Sequence, residues 1–200
     1  MRARLKRLRQ GHPDKVVEVW AEDECRLGLK PIARRVWSPK GHRPRSGGRT
    51  RYDWLYVYGF ARPRTGATFA ALLPRVNADR MGDALAALTA HADPDGRKVL
   101  VVLVDHAGWH VAKRLAVPAN VVLHYLPPCT PELQPAEPLW PLIREAVANR
   151  SIGRIDRLRA IVRARLMYLA QHPDLVQPVV GFRWTSCLER YRINLIRYER

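Results

Sequence analysis

Between Val17 and Ala21 the stretch "KVVEVWAED" alternates apolar and polar side chains, the period of a strand with one buried face. Asp23 and Glu24 fall at its end. Two further runs, "WLYVYGFA" (54–61) and "GATFAALL" (66–73), are rich in β-branched and aromatic residues and are separated by "RPRT", which predicts an antiparallel hairpin with a basic turn. The first three strands are therefore expected to be neighbours. From Asp79 to His91, Met81, Leu85 and Leu88 recur at helical spacing and "ADPDG" closes the segment with turn chemistry. "KVLVVLVD" (98–105) is a continuous apolar run ending in Asp105, the pattern of a central strand covered on both faces. "GWHVAKRLA" (108–116) predicts a short helix and "NVVLHYL" (120–126) another strand. Helices are predicted over 142–150 and 151–172. In the second, Ile152, Ile155, Leu158, Val162, Leu166 and Leu169 form an apolar stripe, with Arg154, Arg157, Arg163 and Arg165 mainly off it. A last helical segment is predicted over 187–198.

Strands first, then alternating helix and strand, then helices is the order of an α/β domain, a mixed sheet with helices on both faces. No repeat or long interior linker divides the chain. The reading is a basic N-terminal segment, 1–16, followed by one domain over 17–200 whose C-terminal helices begin at about 151. The stretch 35–51, "RVWSPKGHRPRSGGRTR", is rich in Gly, Pro, Ser and Arg and reads as a loop or hairpin excursion.

Charge adds a partner. Across 200 residues, 35 Lys and Arg stand against 18 Asp and Glu, a formal charge of +17. Both ends are basic and the middle is nearly neutral, so a polyanion, nucleic acid above all, is the expected neutralising surface. Arg34, Arg35, Lys40, Arg43 and Arg45 are the candidate phosphate contacts. Cys25, Cys129 and Cys187 are odd in number and far apart, which indicates neither a disulfide framework nor a zinc site. His106 and His110, four apart, lack cysteine or acidic partners at the spacing that zinc would need. No apolar run is long enough to span a membrane, and the opening "MRARLKRLRQGHPDK" lacks a signal peptide's apolar stretch. A cytoplasmic, nucleoid-associated protein is expected.

In a chain so short of acids, three stand at the ends of predicted elements: Asp23 after the first strand, Asp105 after the central strand, and Glu137 at a helix start. Singly, each has an ordinary role as a solvated acid, an N-cap or a dipole partner. Jointly they suit a hard divalent cation, which takes oxygen ligands from a few rigidly held carboxylates. The segment "LPPCTPELQPAEPLW" (126–140) holds five prolines around Glu137, and these remove backbone freedom before any ligand binds. The side-chain oxygens of the three acids are expected to meet within a few ångströms. Trp20, Trp37 and Trp140 are expected in core packing.

The ordered set "WAEDECRLGL", "RRVWSPKGHRP", "VLVDHAGWH" and "LPPCTPELQPAEPLW" resembles the catalytic domain of DDE-type transposases from bacterial insertion sequences related to the mariner superfamily, over about residues 17 to 150. The resemblance implies an RNase H-like fold with a mixed five-stranded sheet, and three carboxylates, here Asp23, Asp105 and Glu137, holding two Mg²⁺ or Mn²⁺ ions. Such ions clamp the attacking and leaving oxygens of an in-line displacement at phosphorus. It further implies hydrolysis of DNA at the element's ends followed by strand transfer, a homodimer on DNA, and His110 as a residue that orients Asp105 or touches DNA. The spacing between Asp105 and Glu137 is a few residues shorter than is usual in these relatives. His106 and Gln134 stand where asparagines are common. Relatives carry helix-turn-helix modules before the catalytic domain, so the chain is expected to be one reading frame of a split element with a separately encoded helix-turn-helix partner, a truncated copy, or a fragment. Two alternatives remain: a non-catalytic DNA-binding remnant, and an RNase H-like nuclease that cuts without joining.

Overall fold

The fold comes from a computed structural model that describes residues 1–45, 52–186 and Leu188. Five strands form one sheet: β1 (Val16–Gly28), β2 (Trp54–Ala61), β3 (Thr68–Leu73), β4 (Lys98–Val104) and β5 (Val121–Tyr125), in the order β3-β2-β1-β4-β5. β1 to β3 are antiparallel neighbours, as their hairpin pattern predicts. β4 runs parallel to β1 and to β5. The helices are α1 (Arg2–Gly11), α2 (Ala78–Ala92), α3 (Leu139–Arg144), α4 (Ile155–Gln171), α5 (Pro173–Val180) and α6 (Arg183–Ser186).

Both faces of the sheet are covered. On one, Trp20, Tyr58, Phe60, Leu100, Val102 and Val104 pack against Met81, Leu85 and Leu88 of α2. Asn77 caps that helix, its side chain accepting from the Arg80 amide, which satisfies an otherwise orphan donor. The other face carries two clusters. Leu5 of α1 packs with Val17, Val19, Ala21, Val101 and Leu103. Cys25, Leu27, Leu55 and Val57 pack with Leu139, Trp140 and Ile143 of α3 and with Leu158, Val162 and Leu169 of α4. Along this face of β1 the first cluster stops at Ala21 and the second begins at Cys25. Asp23 occupies the gap.

Several expectations change. β1 does not stop before Asp23 but runs to Gly28, so Asp23 lies inside a strand. The run "EDE" breaks the alternation only in hydropathy: Glu22 and Glu24 point to one face, where His110 meets them, and Asp23 to the other. Residues 108–116 form turns instead of a helix, because their anchors are tertiary: Trp109 Nε1 donates to Glu24 and Tyr125 OH donates to the His110 carbonyl. A segment so short gains too little from helix propagation to resist such bonds. The helix expected over 142–150 is α3, which starts earlier and ends at Arg144; the chain beyond it turns at Asn149, with φ 55. α4 begins at Ile155 after an extended Arg154. The basic opening segment contains α1, whose buried Leu5 packs on the sheet while Arg9 donates to the Leu188 carbonyl. Apart from Leu188, the segment 187–198 lies outside the described residues. Trp20 and Trp140 are buried as expected, but Trp37 is 103% exposed; it sits in an irregular segment, and among the described residues none covers it.

Candidate active site

Parallel pairing of β1 with β4 sets Val16 opposite Lys98 and Ala21 opposite Leu103. Asp23 and Asp105 each lie two residues beyond the last of these pairs, on neighbouring strands that the pairing brings side by side. Asp105 follows the last residue of β4, as the apolar run predicts.

Glu137 reaches the same place by a different route. After β5 the chain makes a 3-10 turn, Pro131–Leu133, and enters α3 at Leu139, with Glu137 in the turn just before it. Pro138 at the N-cap needs no N–H partner and suits that position. The buried Gln134 fastens this connection to the sheet: its Nε2 donates to the Glu22 carbonyl at 2.9 Å and its Oε1 accepts from the Ala136 amide at 3.3 Å. Asp23, Asp105 and Glu137 thus line one cleft of about 470 Å³ together with His106, Cys129 and Gln134. The expected meeting of their oxygens within a few ångströms is not reached: the three share the cleft, but their ligand atoms do not all lie within 4.8 Å of one another. Among the described residues, the acid and histidine group whose ligand atoms all lie within 4.8 Å of one another is Glu22, Glu24 and His110. His110 thereby gains acidic partners that its own stretch of sequence does not offer.

Each acid has a distinct environment. Asp23 Oδ2 accepts from Trp140 Nε1 at 2.7 Å. Burial pushes the Asp23 carboxyl up to about 6 against that hydrogen bond, and the charges of Glu24 and Asp105 push the same way. Asp105 is 59% exposed, and its Oδ1 meets His110 Nδ1 at 2.7 Å. The same oxygen accepts from the Ala107 amide at 2.8 Å; among the described residues Oδ2 accepts no hydrogen bond. Glu137 is exposed.

His110 is buried, and its other nitrogen, Nε2, stands 3.2 Å from Glu22 Oε2 and 3.3 Å from Glu24 Oε1. Burial alone would depress its pKa. The bonds and charges of the two glutamates outweigh that and hold the imidazole well above the ordinary histidine range. Burial and the charge of Glu24 raise Glu22 against the pull of His110. Neither Glu22 oxygen has a well-aligned donor, so the cluster is held by charge more than by directed bonds.

The predicted phosphate contacts do not line that cleft. Arg34, Arg35, Lys40, Arg43 and Arg45 are all exposed in the irregular segment after β1. Asn149 fixes its base: the side chain accepts from the Arg34 amide at 2.8 Å and donates to the Arg34 carbonyl at 3.1 Å. Sequence reasoning missed Gln134, Glu22 and Glu24 as builders of the site. For Glu22 and Glu24 a signal existed, since acids at positions 18, 22 and 24 share the strand parity of the buried Trp20.

Residues 18–159 match the family described as DDE superfamily endonuclease. The chain belongs to that family. A relative from Sinorhizobium fredii, the uncharacterized protein y4pE/y4sA, is 38% identical over 104 residues, which cover 52% of this chain and 76% of the relative. Among solved structures, the mariner Mos1 paired-end complex with Mg has a TM-score of 0.59 at 16% identity, covering 94% of this chain and 60% of that one. The Mos1 paired-end complex with the left transposon end has a TM-score of 0.51 at 17% identity, covering 90% and 61%. The fold is therefore that of the RNase H-like transposase catalytic domain, a mixed five-stranded sheet with helices on both faces. This DDE family chain spans about three-fifths of the length of those structural neighbours.

Proposed function

We propose that this chain is the catalytic domain of a DNA transposase, which hydrolyses a phosphodiester at transposon ends and then joins that end to target DNA, the freed 3′-hydroxyl attacking a target phosphodiester and displacing the target's own 3′-oxygen. The observation that carries the reading is the cleft itself: three acids, from a strand interior, a strand end and a helix start, line one space of about 470 Å³. Their donors are all oxygens, the choice of hard cations such as Mg²⁺ or Mn²⁺. Asp105 raises the cost of ionising Asp23, and Asp105 keeps an oxygen unengaged among the described residues, so the set fits a divalent ion. Two such ions, when bound, supply Lewis-acid stabilisation of the charge on the attacking and leaving oxygens.

The residues of the chain do the placing. Asp23 is held by the strand and Trp140, Asp105 by His110 and the Ala107 amide, and Glu137 by the proline-rich connection and Gln134. Arg34, Arg35, Lys40, Arg43 and Arg45 offer exposed charge for DNA phosphates without reading sequence. The structural neighbours include a Mos1 strand transfer complex and complexes with transposon end, Mn or Mg, which supports DNA and a divalent ion as partners here. A homodimer on DNA, with helix-turn-helix modules from further chain, completes the proposal.

The test is Asp105→Asn. It is expected to abolish Mg²⁺-dependent nicking of a DNA end while leaving salt-sensitive DNA binding almost unchanged. Equal loss of both would return Asp105 to a folding role, and nicking without joining in the wild type would leave a nuclease.

A further inference from the structure

Glu22 and Glu24 of β1 and His110 of the turn after β4 converge on one buried spot, on the face of β1 opposite Asp23. Their side chains are 0%, 8% and 1% exposed. One ligand atom from each lies within 4.8 Å of the other two. Burying two carboxylates is costly unless a cation and hydrogen bonds compensate. Glu24 has one such bond, from Trp109 Nε1 at 2.6 Å. Glu22 has none: among the described residues neither of its oxygens has a hydrogen-bond partner, and neither does His110 Nε2.

Distance is not what prevents a bond, since Nε2 stands 3.2 Å from Glu22 Oε2 and 3.3 Å from Glu24 Oε1. Direction is. A ring N–H needs its acceptor close to the N–H axis, and both oxygens lie off it. An ion on that axis, shared by all three groups, needs its oxygens set to the side. Zinc holds imidazole nitrogen and carboxylate oxygen at about 2.0–2.2 Å in tetrahedral geometry, which separates neighbouring ligand atoms by about 3.3–3.5 Å. The two separations from Nε2 are close to that spacing. The far side of the ring suits the same role. Nδ1 is 2.7 Å from Asp105 Oδ1; an ionised carboxylate only accepts, so the ring proton sits on Nδ1 and Nε2 is the coordinating nitrogen.

We infer that Glu22, Glu24 and His110 Nε2 are three ligands of a buried structural transition-metal ion, with Zn²⁺ the best fit, at a site separate from the cleft that Asp23, Asp105 and Glu137 line. A set of one imidazole and two carboxylates favours such an ion over Mg²⁺, which takes oxygen ligands in octahedral geometry. Its charge offsets that of the two buried glutamates, and coordination ties the turn that carries His110 to β1, so that binding adds to folding stability. The inference is independent of the transposase reading, because the two sites share no ligand.

The test is zinc retention by the whole chain. Protein refolded with Zn²⁺ in an excess of Mg²⁺ and then dialysed is expected to keep a single zinc by elemental analysis, and to melt at a higher temperature than protein refolded with EDTA. Asp23→Asn/Glu137→Gln, which disables the cleft, should keep that zinc. Glu22→Gln should bind it more weakly, by at least the ~10 to 100-fold that loss of an outer partner of a metal site costs. Wild type without zinc, undiminished affinity in Glu22→Gln, or loss of zinc in the cleft variant overturns the proposal. A measurement on the wild type guards against a Glu22→Gln that does not fold. In ¹⁵N-histidine NMR, zinc is expected to shift His110 Nε2 while Nδ1 keeps its proton; a shift at His106 alone, or at no histidine, overturns the proposal.

Discussion

The indole of Trp140 donates a 2.7 Å hydrogen bond to Asp23, and it can do so because the residue opposite Asp23 on β2 is Gly59. A Cβ at position 59 would lie 2.6 Å from the Trp140 ring. The pair links α3 to β1 across 117 positions and makes one side chain serve both the core and the acid.

Gly59→Ala therefore forces the ring to move. Overpacking of this kind costs about 1–3 kcal/mol, and DNA nicking is expected to fall more than thermal stability predicts, because Asp23 loses its donor. Trp140→Phe separates the effects: it keeps most of the packing and drops the bond that holds the Asp23 carboxyl down. The acid limb of the pH–rate profile should then move to higher pH. An unmoved limb would disconnect Trp140 from Asp23 ionisation.

Folding stability should report the same carboxyl. Its pKa is raised to about 6 in the native protein, against about 4 in an unfolded chain. Native Asp23 thus keeps a proton that the unfolded chain has released. The stabilisation is fully present below about pH 4 and lost as pH rises through about 6. In chelator-treated protein, the melting temperature of wild type relative to Asp23→Asn should decline across that interval and level off above it. A difference independent of pH would mean that Asp23 titrates normally.

Gln134 holds the proline-rich connection to β1. Gln134→Ala leaves the Glu22 carbonyl without its donor, at a cost of about 1–3 kcal/mol, and loosens the segment that carries Glu137. Nicking should drop while the affinity for DNA is retained. Full activity at lowered stability would show that the prolines alone suffice to place Glu137.

Neutralising Arg43 and Arg45 together should weaken binding to every DNA sequence. It should also flatten the salt dependence, by about one unit of slope for each phosphate that is no longer neutralised. A titration with an unchanged slope would exclude this segment from the interface.

Much of the architecture was legible from periodicity. The hairpin of β2 and β3, α2, the apolar β4 and its terminal Asp105 are all written in local alternation, which reports which side of an element is buried. The failures share a cause. The strand continues through "EDE", and residues 108–116 do not form a helix, because buried polar groups are stable only when distant partners satisfy them. Hydropathy scores such residues as exposed, whereas here His110, Trp109 and Trp140 supply the partners from 85 to 117 positions away.

Residue type and local spacing alone were enough to establish most of the strands and helices, the basic character of the chain and the identity of the three acids that line the cleft. Packing settled what surrounds those acids: the parallel pairing that brings the strands of Asp23 and Asp105 together, the glycine that admits Trp140, the glutamine that ties down the approach to Glu137, and the imidazole that lies between Asp105 and the glutamates Glu22 and Glu24. Each of these joins elements remote in the chain, and its geometry depends on how the helical layers and connections lie against the sheet, which no local pattern encodes.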